Sequence, residues 1–288
     1  EVLKDAQNKR ITGFGRYAGI VGAYNGFLTY GLQTKRFELK PAHLCHDRKE
    51  VESELKKVKL PSNFRCVLTG FGKVGHGARE IISLLPIKEV SAESFLNDTH
   101  DQPVFTHLDT HQYFARKADN GFDKADFYAN PENYKSNFEA FAQVANMYIP
   151  CHFWSAKSPL ILTQDMLRSA QNRIKLVADI SCDIAGPIAC TIRPSKIGNS
   201  YYGYDPQTGL EVPFDQAGAI AVMAVDNLPC ELPKDASIDF GKQLLNNVFP
   251  TLLGEDPDQI IYRASETTAD GQLNEPFLYL QDYLNESH

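Results

Sequence analysis

The stretch FRCVLTGFGKVGHG (64–77) constrains this chain most. An apolar run, FRCVLT, is followed by a glycine-rich bend and then by AREIISLL, which is amphipathic at helical spacing. The order is strand, tight turn, helix. Gly70, Gly72 and Gly75 fit G-x-G-x-x-G in that context. In such a turn the first glycine makes the bend, the second lets backbone approach a pyrophosphate, and the third lets helix and strand pack closely. The helix start, at Lys73 and Val74, then offers N–H groups and the positive end of a dipole to phosphate. A dinucleotide site on a parallel α/β sheet is the expectation.

Bulk properties narrow the class. At 288 residues the chain can form one large or two ordinary domains. A net charge of −7 argues against a nucleic-acid surface or an anionic membrane surface. No apolar run approaches the roughly 20 residues that span a bilayer. The six cysteines, Cys45, Cys66, Cys151, Cys182, Cys190 and Cys230, form no C-x-x-C pair and mostly lie in apolar runs. They read as reduced thiols of a cytoplasmic protein. The HLCH stretch at 43–46 fits no common zinc spacing, so no metal is expected. The first residue is Glu1 rather than methionine, and a preceding segment is expected.

Along the chain, Gly15, Gly19, Gly22 and Gly26 recur at i, i+4, i+7 and i+11. Each costs a helix about 1 kcal/mol against alanine, so close packing against a neighbour is expected to compensate. A charged helix is expected near 46–57. Ile87–Val90 is the natural second strand of the nucleotide unit. A carboxylate at its end, about 20 residues past the first glycine, would hold the ribose of NAD. Glu89 is near that distance, while Lys88 and Ser91 would tolerate a 2′-phosphate, which favours NADP over NAD. Residues 98–135 break the β-α-β rhythm and read as a surface insertion or a flap over the site. A helix is expected over 132–146. Apolar strands are expected at 147–154, 175–182 and 219–226, the last two ending near Asp179, Ser181 and Asp226. Such ends form the ligand-facing edge of a parallel sheet. Helices are expected over 234–248 and 274–285.

Five stretches carry a resemblance: KRITGFGRYAGIVG (9–22), LTGFGKVGHGA (68–78), ARKADNGFDKADFYANPENYKSNF (115–138), VADISCDIAGPI (177–188) and AVDNLPCELPKDAS (224–237). In them the chain resembles the lysine–2-oxoglutarate reductases and the saccharopine dehydrogenases, within the alanine dehydrogenase and transhydrogenase-like group. The resemblance implies a Rossmann-type doubly wound parallel sheet plus remnants of a second α/β lobe. Residues 1–35 would be the end of a first lobe and an interlobe helix, 36–225 the dinucleotide-binding domain, and 226–288 helices returning to the first lobe. It implies cofactor contacts at Trp154, Asp179, Ile180, Ser181, Asp226 and Asn227, beside those of the glycine turn. Phe14, Arg16 and Tyr17 would lie at the substrate edge. The implied substrates are lysine, 2-oxoglutarate and saccharopine. The family's proton-handling lysine and histidine lie upstream of the KRITGFGRYAG motif, so they are expected in a first lobe that precedes this chain.

Other roles stay open. Asp226 would orient a carboxamide or an amine, or serve as a helix cap. Arg16, Lys73 and Arg116 are candidate anchors for a dicarboxylate, or solvated surface charges. His76 points at phosphate or at solvent. An enzyme of the alanine dehydrogenase type for another amino acid, or a nucleotide-binding module without catalysis, would use the same glycine turn.

Overall fold

The computed structural model describes residues 3–285. They fall into two units, Gly15–Pro233 and a second unit of residues up to Phe14 together with those from Lys234 onward.

The larger unit is built on an eight-stranded sheet. Its strands are β1 (Arg65–Thr69), β2 (Lys88–Glu89), β3 (Val104–Leu108), β6 (Met147–Pro150), β7 (Leu176–Ala178), β8 (Tyr201–Asp205), β9 (Leu210–Val212) and β10 (Ile220–Met223). A separate antiparallel pair joins β4 (Phe114–Arg116) to β5 (Tyr134–Ser136). The order across the large sheet is β2-β3-β1-β6-β7-β10-β8-β9. The first six run parallel, and β8 and β9 extend the sheet antiparallel. Strands β3, β6, β7 and β10 are buried at every position, and β1 at all but its first. That explains why they read as continuous apolar runs rather than alternating ones.

The helix Gly15–Thr34 belongs to this unit, and its glycine stripe explains how closely it packs. A Cβ on Gly19 would stand 1.9 Å from the Val74 carbonyl oxygen. One on Gly22 would meet Ile180 at 2.4 Å, and one on Gly26 would meet Met147 at 2.6 Å and Ala178 at 2.8 Å. Facing it, Gly77 of the helix Lys73–Ile82 leaves room for the Arg16 carbonyl, which a Cβ would approach to 2.0 Å. Backbone therefore lies on backbone, as the spacing of small residues predicts. Glu80 clamps the same pair of helices. It accepts from Arg16 at 2.7 and 2.9 Å and from Arg48 at 2.8 Å. Burial alone pushes the Glu80 carboxyl up, but the two guanidinium groups win and hold it below its usual range.

Residues 98–135 are not a loose insertion. Val104–Leu108 enters the sheet beside β1. Phe114, Phe127, Tyr134, Phe138 and Phe141 fill the same buried cluster as Val67 and Tyr148. The expected helix over 132–146 is broken up. Its residues form a turn of 3-10 helix, strand β5 and the short helix Glu139–Ala142.

In the second unit, Pro233–Asn247 forms the longest helix. Phe14 stacks on Phe240 at 4.4 Å, and Gln243 donates to the Gly13 carbonyl at 3.1 Å. No described helix is long and apolar enough to cross a membrane.

Candidate dinucleotide site

The glycine turn leaves β1 at its carboxyl end. Gly70 has φ +98°, which a residue with a Cβ rarely adopts, and a Cβ there would also lie 2.4 Å from the Cys151 carbonyl oxygen. Gly75 lies so close beneath the turn that a Cβ would overlap the Gly70 carbonyl oxygen at 1.8 Å. Gly72 differs from both. It caps the helix Lys73–Ile82, and a Cβ there would meet nothing within 4 Å. Two glycines are thus required by the protein itself, and the middle one opens on space. That is the cradle a pyrophosphate needs, bare backbone at a helix start of ten residues. The first intrahelical donor is the His76 N–H, to Gly72 O at 3.0 Å, so the N–H groups of Lys73, Val74 and Gly75 precede the internal ladder.

His107, one strand over, supports the turn. Its Nε2 lies 2.7 Å from Gly70 O, and its ring stacks on Phe71 at 3.9 Å. Burial holds it below the usual histidine range. Sequence reasoning missed this prop. Its signal is a polar residue inside the otherwise apolar strand VFTHL.

The remaining strand ends gather along the same edge. Asp179 follows β7, is fully buried, and accepts from Thr191 Oγ1 at 2.6 Å and from the N–H groups of Ser181 and Cys182 at 3.0 and 3.1 Å. Burial raises its carboxyl to about 6 against those hydrogen bonds. Ser181 Oγ donates to His152 O at 3.1 Å and Ile180 N–H to Pro150 O at 3.1 Å, which ties the ends of β6 and β7 together. Phe153 is 87% exposed. Trp154 is half-buried, with Nε1 donating to Pro159 O at 3.1 Å. Asp226 and Asn227 follow β10 and are both exposed.

Several expected residues are placed otherwise. Glu89 lies on the edge strand β2, opposite Phe105, and both its oxygens accept from Arg79, the shortest at 2.6 Å. The strand beside β1 is β3, with β2 one strand further out, so Glu89 does not neighbour the strand that carries the glycine turn. Ser91 caps the helix Ala92–Asn97 through the Ser94 N–H at 3.2 Å, rather than facing the turn. Arg16 is engaged by Glu80, and Arg116 by Asp119 at 2.9 Å and Asp126 at 3.3 Å. Tyr17 is buried in its helix, and Phe14 belongs to the second unit.

No family model matches the chain. Relatives are nevertheless found along most of its length. It is 28% identical over 281 residues to the alpha-aminoadipic semialdehyde synthase of Arabidopsis thaliana, covering 84% of this chain and 26% of that protein. It is 26% identical to the mitochondrial alpha-aminoadipic semialdehyde synthase of Rattus norvegicus, covering 98% of this chain and 35% of that protein. It is 22% identical to the saccharopine dehydrogenase [NAD(+), L-lysine-forming] of Schizosaccharomyces pombe, covering 88% and 60%. The chain is a distant homologue of the saccharopine dehydrogenases. It spans about a quarter to a third of the length of the synthases it matches. Among solved structures an L-alanine dehydrogenase superposes with a TM-score of 0.53 at 14% identity, over 94% of this chain and 63% of that one. That likeness concerns the fold: a mixed α/β unit on a largely parallel sheet.

Proposed function

We propose that this chain is the nucleotide-binding portion of an NAD(P)-dependent oxidoreductase that forms or cleaves saccharopine. The open face of Gly72, between two glycines that packing forbids to change, carries the proposal. The homology to saccharopine dehydrogenases supplies the substrate class.

In the forward direction the ε-amine of lysine condenses with the ketone of 2-oxoglutarate, and water leaves. The protonated imine then accepts a hydride at its carbon, giving the secondary amine of saccharopine. When bound, the nicotinamide supplies that hydride and is left oxidised. The protein's part here is placement. Lys73, Val74 and Gly75 hold the pyrophosphate by backbone N–H, and Gly70 and Gly72 let it approach. Asp179, Ile180, Ser181 and Trp154 shape the edge over β6 and β7. Asp226 and Asn227 form the far end beyond β10, where an exposed carboxylate orients a carboxamide or an amine. We place the proton-handling lysine and histidine on a first lobe, following the resemblance, so the test begins with binding.

Titration calorimetry of the chain with NADH and NADPH should show binding of at least one of them. Gly72→Val should abolish it while the chain still melts cooperatively, because an added Cβ there meets no protein atom within 4 Å. Unaltered affinity in this variant would refute the site. For the chemistry, the protein with its first lobe should oxidise reduced cofactor only when lysine and 2-oxoglutarate are both supplied. Turnover with another amino acid instead would remove the saccharopine assignment and keep the fold-level one.

A further inference from the structure

We propose that Asp109 is the residue that selects the coenzyme, by taking the 2′- and 3′-hydroxyls of the adenosine ribose, and that the chain prefers NAD(H) to NADP(H). This rests on the reading of the glycine turn given above and makes it more specific. Across an open parallel sheet, a dinucleotide places its adenosine ribose over the end of the strand that neighbours the glycine-turn strand, where a carboxylate receives the hydroxyls.

In chain order that neighbour would be β2, with Glu89 and the permissive Lys88 and Ser91. In space it is β3. Leu108 pairs with Thr69, the last residue of β1, and the Gly70 N–H donates to Leu108 O at 3.2 Å. Asp109 therefore leaves the sheet alongside the first glycine. Glu89 pairs with Phe105, which pairs with Cys66, so it lies three residues short of the last paired row, Leu108 with Thr69. At about 3.3 Å per residue this is about 10 Å below the edge. Lys88 pairs with Val104, opposite Arg65 at the start of β1, and is further still.

Asp109 is also held in a defined orientation. Oδ1 accepts from the Thr110 N–H at 2.7 Å, and the Asp109 N–H donates to Gln112 Oε1 at 2.7 Å. Oδ2 stands 3.8 Å from His111 Nδ1, and the side chain is 41% exposed. A carboxylate in this position accepts hydroxyl donors and repels a phosphate dianion. The guanidinium groups on the neighbouring helix and on the strand that follows, Arg79 and Arg116, are bound by Glu89 and by Asp119 and Asp126.

Calorimetric titration of the 288-residue chain with NADH and with NADPH tests this directly, with thermal melting as the check on folding. Like-charge apposition costs several kcal/mol, and each 1.4 kcal/mol is tenfold, so NADH should bind at least about tenfold tighter than NADPH. In Asp109→Ser, which keeps a capping hydroxyl, NADH should weaken and NADPH strengthen until the preference is lost or reversed. Asp109→Asn should narrow the ratio with the cap intact, and Glu89→Gln should leave it unchanged. Equal or tighter binding of NADPH by the unaltered chain would overturn the assignment. So would an equal change for both cofactors in Asp109→Ser, or a ratio that follows Glu89 instead. Binding of neither cofactor by the unaltered chain would bring down the dinucleotide reading itself, an outcome distinct from binding without preference.

Discussion

Asp179 and His152 end neighbouring strands, and burial moves their protons in opposite directions. Asp179 is raised to about 6 by burial, and His152 is lowered to about 3 by burial. His152 is held by Thr69 Oγ1, 3.2 Å from its Nδ1, while its Nε2 is buried without a hydrogen-bond partner. The consequences for stability have opposite signs. Between about pH 4 and 6 native Asp179 keeps a proton that the unfolded chain has released, so its contribution is full below that window and is lost as pH rises through 6. His152 stays neutral in the native state while the unfolded residue charges, so stability falls as pH drops below about 6.5. Asp179→Asn isolates the first effect. It should stabilise the protein at pH 8 by up to about 3 kcal/mol, from a shift of about two pKa units, with the gain gone near pH 4. Urea midpoints for the two proteins at both pH values measure this, and equal midpoints at pH 8 would show that Asp179 is ionised without cost. The position of Asp179 after an apolar strand is legible in the residues; its burial is not, because the Thr191 hydroxyl that satisfies it is twelve residues away.

At the level of elements, local pattern tells most where contacts are strongest. The repeat of Gly15, Gly19, Gly22 and Gly26 predicts a close helix contact, and the structure places that face on Val74, Ile180 and Met147. Gly19→Ala should be costly, since the added carbon meets a backbone oxygen that has nowhere to retreat. A loss of about 1–3 kcal/mol is expected in chemical denaturation, the usual scale of overpacking. NADH affinity should fall with it, because Val74 heads the phosphate-facing helix. A fully stable Gly19→Ala would mean that the two helices can slide apart. Residues 98–135 are hard to read from sequence for a related reason. The strand VFTHL is only five residues long, and its place beside β1 is set by pairing across 39 residues, from Arg65 to Val104. Local periodicity holds no record of such a pairing, so chain order alone makes β2 the neighbour of β1 and favours Glu89 as the ribose ligand. Likewise the helix expected over 132–146 gave way to strand β5, which exists only because β4 lies against it.

For the molecule as a whole, the large sheet and its glycine turn follow from composition and motif, while the smaller unit does not explain itself. Leu252, Leu253, Tyr279 and Tyr283 are exposed there, Leu253 at 83%. Apolar side chains so placed promote association. Leu252→Ser combined with Leu253→Ser should lower the tendency of this chain to self-associate at high concentration, as read by sedimentation velocity. No change would show that these side chains are individually solvated.

The strand order has one more consequence, for synthesis. Strand β1 lies between β3 and β6, and its second flank is closed only by Met147–Pro150. A nascent chain on the ribosome carries the glycine bend early, yet the strand that aims it keeps an open side until residue 150 has emerged. About eighty residues of chain beyond the bend must therefore emerge before that strand is flanked on both sides.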